Sequence, residues 1–533
     1  MNFEFNKFDY SLIPKLSKTD LAYINGDHNL REFYEYDFDT SAFDKIIAEK
    51  PYSSEQRELI INQLLKQYEE IPNCENAIGN ILKLSHKNCF TIITAHQPLL
   101  FGGPVYYIYK IASVIHLCID LKQKYPEFEF VPVFVLGSED HDFDEVNHIN
   151  IYGKTIKWDD EAGGAVGRKS NQNILSTLEE LKQILGDSVN STAVYEMFLD
   201  AHSSTNNFAE ATQHWVSKLF DEWGLIVANL DDKALKNSFK KIIFEDIVSQ
   251  ASSKLVNATL ERTTALGYKA QATPRDINFF YHTNNQRLRI IFEDDLYKIE
   301  NSNLSFNESQ LKKEIDHHPE KFSPNVIMRP IYQEFLFPNL AYVGGGGEIA
   351  YWLERKSLFE HYGLKMPMLI RRNSWTFIDK NLSSKMDKLQ FEIPYYFKEI
   401  DLLIKDFIQN HTTDELDISE ERKMLNQLFN SLLEKTENID RSLSGYIKAE
   451  EVKFEKNIDQ ILFKLQKASK SKHETEIAQL KSIKEKLFPN NTLQERYENF
   501  ITYYNLWGNA WIDFLVKNSN PFEKKFNFVK DEK

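Results

Sequence analysis

Two polar clusters and one glycine run are the residues whose types and spacing could do chemistry. The first cluster is Thr94-Ala95-His96-Gln97-Pro98, continuing to Phe101, Gly102, Gly103 and Pro104. His96 and Gln97 can each donate and accept hydrogen bonds, paired glycines permit close backbone approach, and Pro104 suits a first helical turn. The second is Gly137–His148 (GSEDHDFDEVNH), in which Glu139, Asp140 and Asp142 surround His141. Neighbouring negative charge raises an imidazole's pKa, so the spacing predicts a general acid or base near neutral pH, a role worth ~10²–10⁴-fold in rate. His141, His148 and these carboxylates are also metal-ligand types, but the spacing matches no metalloenzyme signature. The third joins Arg329, Pro330 and Glu334 to Gly344–Glu348 (GGGGE). No Lys-Ser/Thr follows the glycines, so this is no Walker motif. Glu348 in the first helical turn disfavours a phosphate there and suits a substrate ammonium. Each motif also has a plainer reading: a capped tight turn, a solvated acidic loop, and a glycine turn with an N-terminal glutamate.

Positioning these residues requires a parallel sheet. Asn88–Ala95 is a short β-branched run, and Phe130–Leu136 is a continuous apolar run closed by Gly137. Between them Ile108, Ile111, Ala112, Ile115 and Ile119 recur at helical spacing across Pro104–Lys124. Strand, helix, strand over this length is a βαβ unit, and continuous apolar strands imply a parallel sheet covered on both faces. Both polar clusters then lie beyond strand carboxyl ends, where open α/β sheets bind ligands.

The rest of the chain frames this core. Residues 1–87 read as a mostly helical lead-in with an amphipathic helix at Ser54–Glu70. From about 151 to 285 the pattern is helical, at Gln172–Leu185, Asn207–Trp223 and Ala234–Leu266, with one strand at Gly224–Asn229. Arg287–Glu293 and Leu296–Glu300 read as a hairpin. Leu340–Val343, a helix near Glu348–Tyr362 and Met368–Arg371 return to α/β character. The fold class is therefore α/β, one Rossmann-like parallel core interrupted by inserts at about 151–325 and spanning 1–380. Residues 381–492 form a helical arm: Leu425, Leu428, Leu432 and Ile439, then Ile458, Ile461, Leu465 and Ala468, step at three, four and seven. An antiparallel coiled coil with its turn near 469–473 is predicted. A last aromatic helix, Leu493–Lys517 within 493–533, is expected to pack back on the core, because Phe500, Tyr503, Tyr504, Trp507, Trp511 and Phe514 are too apolar to stay solvated.

Composition narrows the function classes. With 64 basic and 79 acidic residues the net charge is -15, which repels phosphate backbones and anionic lipids. No extended basic patch offsets it, so neither nucleic acid nor membrane is expected as a partner. Cys74, Cys89 and Cys118 show no paired spacing, which fits a reducing cytoplasm. The amino terminus lacks a signal-peptide pattern and no stretch approaches the ~18 apolar residues of a membrane span.

Taken together, TAHQPLLFGGPVYYIYK, VPVFVLGSEDHDFDEVNHI and RPIYQEFLFPNLAYVGGGGEIAYW resemble the bacillithiol biosynthesis cysteine-adding family, the bacillithiol synthases. LGYKAQAT at 266–273, KMPMLIRR at 365–372 and the terminal NPF extend the likeness over nearly the whole chain. The resemblance implies a core related to class I nucleotidyl and aminoacyl transferases, two connecting inserts, a coiled coil and a homodimer. It implies a ligase that adds L-cysteine to the amino group of glucosaminyl-malate, the last step to bacillithiol. ATP and Mg²⁺ would be consumed if activation follows class I synthetases, with no tightly bound metal.

Carried over by motif, the pocket takes Thr94, His96, Gln97, Gly103, Arg329, Gly347 and Glu348 for substrate, and Glu139, Asp140, His141 and Asp142 for catalysis. His141, assisted by Asp140 or Asp142, would take the amine proton, while Arg329 and the His96 turn would hold carboxylate or phosphate. The chain departs from the commoner pattern at Ala95-His96-Gln97, where Gly-Gln-Gln is usual, and at Gly-Gly-Gly-Gly-Glu, where Gly-Gly-Pro-Gly-Glu is usual. Two alternatives stand beside this reading: a metal-dependent hydrolase using His141 and His148, and a non-catalytic nucleotide-binding dimer that acts with partner enzymes.

Overall fold

The computed structural model of the protein describes residues 3–50, 52–160, 163–283, 286–411 and 417–532. The chain divides into two units, one of residues 1–376 with 492–529, the other of 377–491 with 530–533. At the centre of the first is a five-stranded sheet built from β1 (Cys89–His96), β2 (Glu129–Leu136), β3 (Ile226–Asn229), β4 (Asn339–Gly344) and β5 (Met368–Arg371). The order is β5-β4-β1-β2-β3, and every pair is parallel. β1 and β2 pair in unbroken register from Cys89 opposite Glu129 to His96 opposite Leu136. The residues of β1 and β2 are buried along nearly their full lengths, as continuous apolar runs in a two-sided parallel sheet must be.

Topology places the ligand crevice. From β1 the chain winds outward through β2 and β3, then crosses to the other side of β1 for β4 and β5. The carboxyl ends of β1 and β4 therefore flank the point where the winding reverses, which in open α/β sheets is the ligand crevice. Helix α1 (Tyr106–Lys124) joins the apolar core of β1 and β2 through Val114, Leu117, Cys118 and Leu121; Ile108, Ile111, Ala112 and Ile115 are buried outside that cluster, and Ile119 emerges to 40% exposure.

Several sequence expectations shift at their boundaries for local reasons. The lead-in begins with a strand, Phe3–Asp9, before its helices. The helix expected over 234–266 is two, Lys233–Ser249 and Ala251–Ala265, broken where Gln250 adopts φ 54. Buried Asp246 fixes that break by accepting from the Ser252 amide (2.8 Å) and hydroxyl (2.7 Å). The final aromatic helix is also two, Ile501–Trp507 and Asn509–Asn518, divided at Gly508, whose φ of 59 and crowding by Asn190 leave no room for a Cβ. The hairpin at 287–299 belongs to a five-stranded antiparallel sheet with Phe279–His282, Ser305–Phe306 and Phe322–Pro324. This inserted sheet carries arginines to the crevice.

In the second unit the coiled coil pairs Ser419–Ile439 with Ser444–Lys472. Its turn lies at Asp440–Leu443, not near 469–473, where the chain stays helical to Lys472 and breaks only at His473. The reason is chemical: Lys, Ala and Ser continue a helix readily, whereas the Asp440 side chain accepts from the Ser442 amide at 2.9 Å and so favours a turn. Between the paired helices Phe429 packs on Phe454 with ring centroids 5.7 Å apart. Among the described residues no helix is long and apolar enough to cross a membrane.

One buried ion pair fastens residues 492–529 to the core. Arg372, just past β5, donates to both carboxylate oxygens of Glu495 at 2.9 and 2.8 Å, and both side chains are at most 1% exposed. Removing one partner strands a desolvated charge, which costs about 3–5 kcal/mol. Glu495→Ala should accordingly lower the thermal midpoint of the first unit sharply in calorimetry, whereas Lys7→Ala, which breaks an exposed pair with Glu523, should barely move it.

Candidate active site

A cavity of about 850 Å³ opens at the carboxyl ends of β1, β2 and β4. His96, Gln97, Glu139, Asp140, His141, Arg329, Gly347 and Glu348 line it, so eight of the residues singled out by sequence converge there. Thr94, Gly103 and Asp142 do not. Thr94 lies fully buried within β1, two residues short of its end. Gly103 shapes the turn instead, at φ 53 and ψ −149, with Leu99 filling the space a Cβ would need. Asp142 is exposed where the acidic loop turns into the short helix Phe143–Val146. His148 pairs with Asn147 and is not part of the lining.

The turn after β1 is held under strain. Gly102 sits at φ 78, and Phe101 before it adopts φ 41, a left-handed conformation that a side chain disfavours and that needs support from outside the turn. Buried Asn499 supplies it, donating from its amide to the carbonyls of Phe101 (3.0 Å) and Gly103 (2.7 Å), while the Val105 amide donates to Glu498 O at 2.8 Å. No spacing in the first hundred residues points to a partner four hundred residues away.

At the switch point Lys110 of α1 is fully buried and donates to Ala95 O (2.5 Å) and Glu348 Oε1 (2.8 Å). Burial pushes its pKa down to about 8 although Glu348 opposes the fall. Burial likewise works against ionised Glu348, but Lys110, His96 and the Tyr342 phenol (2.7 Å) outweigh it and hold the carboxyl at about 2. The other oxygen of Glu348 accepts the Gly345 amide at 2.9 Å, so the glycine run does not offer that amide to a phosphate. His96 donates through Nδ1 to Gln97 O (3.1 Å) and accepts through Nε2 from Tyr106 (3.0 Å).

The acidic loop is organised by cations that sequence spacing did not reveal. Glu139 is only 9% exposed and is engaged by Lys236 and by His282 (3.3 Å). Burial opposes its ionisation, yet Lys236 holds it below the usual carboxylate range. Lys236 also reaches Asp231 at 3.0 Å, and Arg168 grips Asp231 at 2.6 and 2.7 Å. Asp140 is brought to about 2, against burial, by the His141 beside it, whose backbone amide donates to it at 2.8 Å, and by Arg287. Arg287 Nη1 donates to His141 Nδ1 at 2.9 Å. A guanidinium can only donate, so that ring nitrogen accepts and the proton sits on Nε2. The acids expected to surround His141 thus share it with an arginine.

The lining carries Arg275, Arg287, Arg289, Arg329, Arg372 and Arg496 against Glu139, Asp140, Glu145 and Glu348. A net positive cavity in a chain of net charge -15 concentrates anions where the rest of the surface repels them. Among the described residues no three of His, Cys, Asp or Glu stand together as a metal site.

A parallel sheet with its ligand cavity at the strand reversal defines a Rossmann-like α/β protein, here with a coiled-coil unit attached. Residues 4–373 match the family model described as bacillithiol biosynthesis BshC, N-terminal Rossmann-like domain, and residues 375–530 match the C-terminal coiled-coil domain of the same family. The chain belongs to the bacillithiol biosynthesis BshC family. It is 38% identical over 522 residues to a protein of Flavobacterium johnsoniae, covering 98% of each chain. It is 37% identical to one of Flavobacterium psychrophilum (96% and 97% covered) and 27% identical to one of Bacillus thuringiensis (95% and 97%). All three are named "Putative cysteine ligase BshC".

The Glu348 carboxyl gives a pH test. Its folded pKa is depressed, so its contribution is full above the unfolded value of 4.5 and is lost as pH falls towards about 2. Between those limits Glu348→Gln should lose less thermal stability per pH unit than the native chain. Equal slopes would show that the pair with Lys110 is not formed.

Proposed function

We propose that this protein is a cysteine ligase that joins the carboxyl carbon of L-cysteine to the amino group of glucosaminyl-malate, forming bacillithiol. The observation that carries the reading is the arginine-lined cavity at the switch point: it suits a small anionic ligand, and glucosaminyl-malate brings two carboxylates. The relatives' names supply the cysteine.

Amide formation needs a neutral amine and an activated carboxyl. The amine nitrogen bonds to the cysteinyl carbonyl carbon, the bond from that carbon to its phosphate or adenylate leaving group breaks, and the amine proton passes to that departing anion or to water. Arg275, Arg287 and Arg289 suit the malyl carboxylates or a phosphate, because planar guanidinium groups match both. With Nδ1 occupied, His141 presents Nε2–H, which fits donation to the oxygen that gains charge rather than removal of the amine proton. Asp140 holds the His141 backbone amide and offsets the charge of Arg287, which positions the ring. ATP, with Mg²⁺ to offset its charge, belongs to the same proposal as the source of activation, and its phosphates would meet arginines rather than the capped glycine run. A homodimer built through the coiled coil, acting in the cytoplasm, completes the reading, and the three free, buried cysteines accord with a reducing compartment.

Expression in cells that make glucosaminyl-malate but lack the cysteine-adding step tests this directly. Thiols trapped by alkylation should include bacillithiol with the native chain, and His141→Ala should reduce it ~10²-fold or more. Folded native protein that yields no bacillithiol would sink the ligase reading.

A further inference from the structure

Tyr106, the first residue of α1, lines the cavity beside His96 and Glu348, and nothing above gives it a task. The hydrogen bonds around it run in one direction. The Gln97 carbonyl can only accept, so His96 Nδ1 carries the proton of that 3.1 Å contact. Nε2 is left with a lone pair, and the Tyr106 hydroxyl 3.0 Å away donates to it. Burial lowers the imidazole pKa to about 4, and burial with the charge of Glu348 raises the phenol to about 12. Neither group changes protonation near neutrality, so the direction is fixed. The phenol oxygen has turned its proton inward and offers lone pairs to the cavity. The Arg372 guanidinium lies 5.4 Å from the centre of the same ring and steadies its plane. Ionised Glu348 is a second acceptor in the same lining. Arg275, Arg287 and Arg289, by contrast, reach the cavity from the segment around the inserted sheet and suit anions.

The geometry points to Tyr106 as the residue that accepts a hydrogen bond from the primary amine of the cavity's ligand, with His96 as the positioning residue that sets its polarity. This rests on the cysteine-ligase reading, which supplies two such amines, one on the glucosaminyl ring and one on cysteine. A glutamine at position 96 could do the same work, because its amide offers one donor for the Gln97 carbonyl and one acceptor for the phenol.

Calorimetric titration of the full chain against two ligand pairs separates the outcomes: glucosaminyl-malate with its N-acetyl form, and L-cysteine with N-acetyl-L-cysteine. The native chain should bind at least one amine more tightly than its acetylated partner. Tyr106→Phe, which keeps the ring, should weaken that amine about tenfold and leave the acetylated form unchanged. His96→Leu should reproduce the loss, and His96→Gln should restore native binding. The pair whose discrimination collapses identifies which amine sits at Tyr106. Amine preference that survives Tyr106→Phe in both pairs overturns the proposal and leaves the ligase reading standing. A native chain that binds neither glucosaminyl-malate nor cysteine overturns the ligase reading, and this proposal with it.

Discussion

The ammonium of Lys110 has no contact with solvent, and the switch point is organised around it. It ties the last turn of β1, through Ala95 O, to the first turn of the helix after β4, through Glu348. Those two strands run side by side with no direct chain connection between them, so this ion pair sets the width of the crevice at its deepest point. A buried lysine stays charged near neutrality only when a partner offsets its desolvation. Glu348 is therefore held ionised and immobile, and the Gly345 amide that caps it is withdrawn from ligand binding. One interaction thus explains both why the glycine run is no phosphate loop and why an acid can persist among arginines.

The remaining cavity charges follow a similar rule. Two acids of the second cluster are matched by cations from distant parts of the chain: Glu139 by Lys236, Asp140 by Arg287. Matching removes the acids' repulsion for an anionic ligand while preserving their hydrogen-bond geometry. The uncompensated arginines then dominate the field inside a molecule that is acidic overall.

The parallel strands were legible because the β-branched and apolar runs of β1 and β2 admit one interpretation, and the polar residues just beyond them inherit a place at the crevice. What could not be read were the long-range partners. Arg287 reaches His141 through an insert whose alternating pattern announces a hairpin but not its destination. That contact fixes the tautomer of the imidazole, since an arginine on Nδ1 leaves the proton on the far nitrogen. Thr94, Gly103 and Asp142 failed as lining residues because adjacency in sequence says nothing of side-chain direction at a strand end, a glycine turn or a helix start. The coiled-coil turn was misplaced because weak apolar stepping is not a helix stop, whereas an aspartate able to cap a turn is.

Arg372 and Glu495, and the Asn499 amide that braces the turn after β1, join segments made at very different times during synthesis. A chain emerging from the ribosome exposes the whole parallel sheet before the residues that neutralise Arg372 and brace Phe101–Gly103 exist. The nascent sheet must wait, with an unpaired guanidinium and an unsupported turn, while the entire coiled-coil unit is made. The bracing of the turn beside the cavity thus depends on residues made only after the coiled-coil unit.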